Sequence, residues 1–70
     1  MVYVFEFRAT GSDGTRRVIE IAKHRAKSVS LAEDRVKTIM KNVRFPDGIA
    51  DNCLIKDQMG HVLSEVRDRA

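Results

Sequence analysis

The sequence predicts an α+β domain of β-β-α-β-β order, with one amphipathic helix packed on one face of a mostly antiparallel four-stranded sheet. Three observations lead there. Residues 2–9 alternate with the period of two that a half-buried strand requires. Residues 29–43 repeat their apolar positions with the period of a helix. Two glycine-bearing turns, Asp13-Gly14 and Asp57-Gln58-Met59-Gly60, stand where hairpins would close.

In the first strand Tyr3, Phe5, Phe7 and Ala9 point one way and Val2, Val4, Glu6 and Arg8 the other. Three of the four aromatic residues lie on the first side, which makes it the core face. After the turn chemistry of residues 10–15, Arg16 to Ala22 reads as the second strand. Its alternation places Ile19 and Ile21 beneath Phe5 and Phe7, with Val18, Glu20 and Ala22 outward beside Glu6, Arg8 and Arg16. Lys23 to Lys27 reads as a short basic connection.

Ser30 and Glu33 match a capping box, with Ser28 as the competing N-cap two residues earlier. Val29, Ala32, Val36, Ile39, Met40 and Val43 form one stripe of a helix ending near Asn42. Glu33 and Asp34 early, and Lys37, Lys41 and Arg44 late, complement the helix dipole. Phe45-Pro46-Asp47-Gly48 then stops the helix and turns the chain. The run Cys53-Leu54-Ile55 marks a third strand between Ala50 and Asp57, and His61 to Val66 its return. No repeat or linker divides residues 1–70, which are read as one domain with residues 67–70 as a frayed tail. The order of elements also loosely resembles a truncated β-grasp (ubiquitin-like) fold. A fifth strand and a C-terminal Gly-Gly tail are missing, so nothing functional follows from that likeness.

At 43% hydrophobic and 33% charged, the composition is that of a folded domain rather than a disordered one. No run approaches the roughly 20 apolar residues of a membrane span. The N-terminus lacks the basic and apolar regions of a signal peptide. A cytoplasmic protein with no membrane association is expected. A lone cysteine excludes an internal disulfide and fits a reducing compartment. A chain this small has a narrow stability margin, and self-association is one way to widen it.

Catalytic and metal-binding constellations are not apparent. Cys53 lies in an apolar strand and reads as a small buried hydrophobe rather than a nucleophile. His24 and His61 belong to no ligand spacing, and neither H-x-x-x-H nor C-x-x-C occurs. Glu33 and Asp34 are explained by the helix start, and the remaining aspartates and glycines by turns. No catalytic residue, cofactor or metal is expected, and the protein is read as a non-enzyme.

Two features point to binding. Residues 1–45 hold ten Lys/Arg against five Asp/Glu, a balance of +5. Within them Arg16, Arg17, Lys23, Arg25 and Lys27 surround the second strand, a candidate site for an anion or nucleic acid. Interleaved exposed aromatics and recognised nucleic-acid motifs are absent. Second, one helix covers one side of the sheet, so the other carries Val2, Val4 and Val18, with Leu54 or Leu63. That is a candidate face for a partner protein or a second copy of the chain. The leading expectation is a small non-catalytic interaction module that binds a protein or itself through this face or through a strand edge. Nucleic-acid binding through the basic cluster is the runner-up.

Overall fold

The computed structural model describes residues 1–68. Its elements are β1 (Val2–Thr10), β2 (Arg16–Arg25), α1 (Val29–Asn42), β3 (Asn52–Lys56) and β4 (Val62–Arg67). The strands form one sheet in the order β2-β1-β3-β4, and every ladder is antiparallel. The expected β-β-α-β-β arrangement is therefore what the chain adopts. Of the tail, Arg67 belongs to β4 and the Asp68 amide donates to the Asp51 carbonyl at 2.9 Å. The other two tail residues, 69 and 70, lie outside the described residues.

β1 forms as its alternation dictates. Tyr3, Phe5, Phe7 and Ala9 are buried on the helix side with Cys53 and Ile55 of β3 and Val66 of β4. Ala32, Val36 and Met40 of α1 close this layer. Phe5 sits edge-on to Phe7, with ring centroids 6.2 Å apart. Each large side chain removed from water here stabilises the fold by about 1.5–3 kcal/mol.

The second strand departs from expectation. A bulge interrupts the β1–β2 ladder: Phe7 faces Glu20 and Arg8 faces Val18, leaving Ile19 as the extra residue. Ile19 turns inward at 7% exposure, but the phase is reversed beyond it. Ile21 pairs with Glu6 on the open face at 60% exposure, so it is not the core residue that simple alternation implies. Glu20 and Ala22, expected outward, instead face Phe7 and Phe5 on the helix side. The strand also continues to Arg25 through the segment expected to be a connection. His24 lies flat on Phe5 with ring centroids 4.7 Å apart.

The ladder also fixes which backbone groups of β2 remain unpaired. The Met1 nitrogen donates to the Ala26 carbonyl and the Ala26 amide to the Met1 carbonyl, a reciprocal pair. Antiparallel alternation then directs the N–H and C=O groups of Ile21, Lys23 and Arg25 away from β1, toward the free edge.

Ser28, not Ser30, caps the helix: its Oγ accepts from the Leu31 amide at 3.2 Å. The earlier start lets Val29 pack against the core. It also moves Glu33 and Asp34 beyond the first turn, and the Glu33 carboxylate instead accepts a hydrogen bond from Ser64 Oγ of β4. The helix leans toward β3 and β4, with Leu31, Arg35 and Ile39 on its opposite flank. Both hairpins close as expected. Gly14 (φ 85°) and Gly60 (φ 91°) adopt positive φ, and the Gly60 amide donates to the Asp57 carbonyl at 3.1 Å.

Candidate functional site

The uncovered face of the sheet is built from alternate residues of all four strands. β1 supplies Val2, Val4, Glu6 and Arg8, and β2 supplies Arg16, Val18, Ile21, Lys23 and Arg25. Asn52, Leu54 and Lys56 of β3, then Val62, Glu65 and Arg67 of β4, complete it. Val18, Ile21 and Val62 are 47%, 60% and 55% exposed, whereas Val2, Val4 and Leu54 are half-buried. Leu63, the other candidate, falls in a bulge of the β3–β4 ladder between the residues paired with Ile55 and Lys56.

Charge is organised around these apolar positions. Lys56 Nζ donates to Glu6 Oε2 at 2.7 Å across β1 and β3. Asn52 is 1% exposed: its side-chain oxygen accepts from Arg8 Nε at 2.8 Å, and its amide donates to Glu65 Oε2 at 2.6 Å. Arg8, Arg16 and Arg67 lie 3.3, 3.8 and 3.2 Å from the Glu65 carboxylate. Among the described residues the face thus holds six cations, Arg8, Arg16, Lys23, Arg25, Lys56 and Arg67, against the carboxylates of Glu6 and Glu65. Both carboxylates are already paired with cations of the same face.

The basic cluster expected around β2 is divided by strand geometry. Arg16, Lys23 and Arg25 join the open face. Arg17 pairs with Ala9 on the other side, where its Nη2 donates to the Asp47 carbonyl at 2.7 Å. Lys27 lines a groove of about 810 Å³ between the exit of β2 and α1, with Ala26, Leu31, Arg35 and Ile39. Arg35 reaches across it, and its Nη1 donates to the Arg25 carbonyl at 2.6 Å. Sequence reasoning missed this groove, as well as the contributions of Ile21, Lys56, Val62 and Arg67 to the open face. Neighbouring residues of a strand point to opposite faces, so the separation of Arg16 from Arg17 could have been read from the sequence. The groove depends on where the helix lies across the sheet, which no local pattern encodes.

Comparison with family models, curated proteins and solved structures returns no match. The surfaces must be read from their own chemistry.

Cys53 is fully buried in β3, and desolvation pushes its thiol up to about 12. His61 Nδ1 lies 3.1 Å from Asp57 Oδ2 in the second turn. Among the described residues no group of three or more His, Cys, Asp or Glu side chains is placed to hold a metal ion. Among the described residues no helix is long and apolar enough to cross a membrane. The Cys53 thiol is expected to react with a maleimide or disulfide reagent only as the protein unfolds. Its labelling rate in rising urea should therefore track the unfolded fraction, and rapid labelling of the native protein would contradict this burial.

Among the described residues three carboxylates titrate below their ordinary values. Asp13 is lowered chiefly by the Thr15 hydroxyl and amide. Asp57 is lowered chiefly by the His61 amide, and Glu65 by the Asn52 side chain and then Arg67. A carboxylate that binds its proton less readily when folded contributes stability that is complete above its unfolded pKa, here 3.8 for the aspartates and 4.5 for Glu65. That contribution is lost as pH falls through the folded value. The urea midpoint is expected to stay level with respect to these groups from pH 7 to about 5, then decline in more acidic solution. Asp57→Asn should make that decline shallower, and an unchanged slope would show that the turn carboxylate does not contribute.

Proposed function

We propose that the protein is a non-catalytic interaction module that binds a partner protein through the uncovered face of its sheet. The observation that carries this reading is the joint exposure of Val18, Ile21 and Val62 on one face, around a centre of paired charges. Exposed apolar residues that share one face with organised charge are a mark of interaction surfaces. Face-to-face pairing of two copies would oppose two sets of six cations whose carboxylates are already engaged, which works against a homodimer built this way. A partner presenting carboxylates interspersed with apolar groups matches the face better.

The test combines sedimentation with chemical-shift mapping. The isolated protein is expected to stay monomeric, and a captured protein partner should perturb Val4, Ile21, Leu54 and Val62. Ile21→Asp should abolish that binding while leaving the fold intact, because Ile21 is exposed. A partner that binds Ile21→Asp and the parent protein equally would sink the reading.

Convergence of Arg16, Lys23 and Arg25 with Arg8, Lys56 and Arg67 on the same face favours a second reading, nucleic-acid binding. Contact with several phosphates predicts affinity that falls steeply with added salt. Reversing Lys23 and Arg25 to Glu should weaken such binding and reduce the salt slope by about one per lost phosphate contact. Binding that is indifferent to both changes would exclude it.

A further inference from the structure

The free edge of β2 meets the groove beside α1 at Arg25, and together they form a second surface of the interaction module proposed above. On that reading we propose that this edge takes up an extended acidic segment of a partner protein as an additional strand, with alternate side chains entering the groove. β2 ends the sheet, and its outward N–H and C=O groups at Ile21 and Lys23 have no partner strand. From Glu20 to Arg25 its pairing with β1 is regular, so this half is straight enough to template another strand. A strand added there points every second side chain toward the helix side. There Leu31, 51% exposed, and Ile39 form an apolar wall. Backbone hydrogen bonds along an edge and a pocket for alternate side chains are the two requirements of strand addition.

Charge selects the occupant. β2 carries Arg16, Arg17, Lys23 and Arg25 against Glu20 alone. The groove adds Lys27 and Arg35 against Asp34. A second copy of β2 at this edge would bring together two strands that each carry four cations against one carboxylate, and like charges facing one another across strands are destabilising. A segment bearing carboxylates meets the opposite condition. Arg35 defines one end of the site: with Nη1 on the Arg25 carbonyl, its remaining N–H groups can receive a carboxylate of the incoming strand.

The probe is a capped peptide of about seven residues alternating aspartate and valine, the length of an ordinary strand. Its titration into the isotopically labelled protein is expected to slow hydrogen exchange at the Ile21 and Lys23 amides and to shift Leu31 and Ile39. Leu31→Lys should weaken binding about tenfold without altering the fold, since Leu31 is exposed. The same peptide N-methylated at alternate residues keeps its charges but cannot extend the ladder, and its binding should be lost. Equal binding of the N-methylated peptide would overturn the proposal, as would no saturable binding of the parent peptide. Shifts confined to Val4, Leu54 and Val62 would support the interaction module yet overturn the edge site. Equal competition by an oligothymidylate would assign the cations to phosphate and overturn it too.

Discussion

Phe5→Ala is expected to strip the protein of a large part of its stability, about 3–5 kcal/mol at room temperature. Phe5 is fully buried at the centre of the sheet, edge-on to Phe7 and stacked beneath His24, and β3 packs alongside through Ile55. Removing such a ring costs about 3–5 kcal/mol, because the transfer free energy is lost and the cavity collapses only in part. At roughly 0.05–0.15 kcal/mol per residue, a domain of this length has about 4–10 kcal/mol in total. One side chain therefore carries a large share of the margin. Urea unfolding followed by far-ultraviolet circular dichroism measures it, and Phe5→Leu should retain more of the stability. A loss for Phe5→Ala below about 1 kcal/mol would contradict a ring at the centre of the core.

Asn52→Asp is the second large effect, and its sign depends on pH. The Asn52 amide donates to Glu65 while its oxygen accepts from Arg8. Aspartate replaces that donor with an oxygen, so two carboxylates meet at a nearly fully buried position with Arg8 as their shared cation. About 2–4 kcal/mol of stability should be lost at pH 7, from the broken hydrogen bond and the like-charge contact. Within the fold such a pair holds a proton more tightly than in the unfolded chain, so the penalty applies at neutral pH and eases below about pH 5. The parent protein moves the opposite way, since the stabilisation carried by its Glu65 is lost on acidification. The two stability curves should converge in acid. Asn52→Ala should cost about 1–3 kcal/mol without that relief, and parallel curves for the parent and Asn52→Asp would refute the account.

Elements set by local patterns were legible in the chain. β1 alternates without interruption, the helix stripe from Val29 to Met40 repeats cleanly, and Gly14 and Gly60 mark turns needing positive φ. Competition between local options was harder to resolve. Ser28 and Ser30 are both sound caps, and the choice rests on Val29 reaching the core and Glu33 reaching Ser64. The end of β2 was hidden because Lys23, His24 and Arg25 show no apolar alternation, and His24 enters the helix side by stacking on Phe5. Of the candidate site, Val2, Val4 and Val18 do share the open face. The positions of Lys56, Val62 and Arg67 required the strand order, which depends on contacts between residues some fifty positions apart, such as Glu6 with Lys56.

The bulge at Ile19 has a consequence for how the first hairpin finds its alignment. Two isoleucines two positions apart belong to opposite sides of the sheet, one dry and one wet. Smoothing out the bulge so that β2 alternates evenly would shelter Ile21 beside Ile19 but carry Lys23 and Arg25 to the dry side, so the misaligned hairpin gains nothing. The irregularity works as a ratchet tooth, leaving one seating in which every aliphatic and every cation of the strand is tolerated at once.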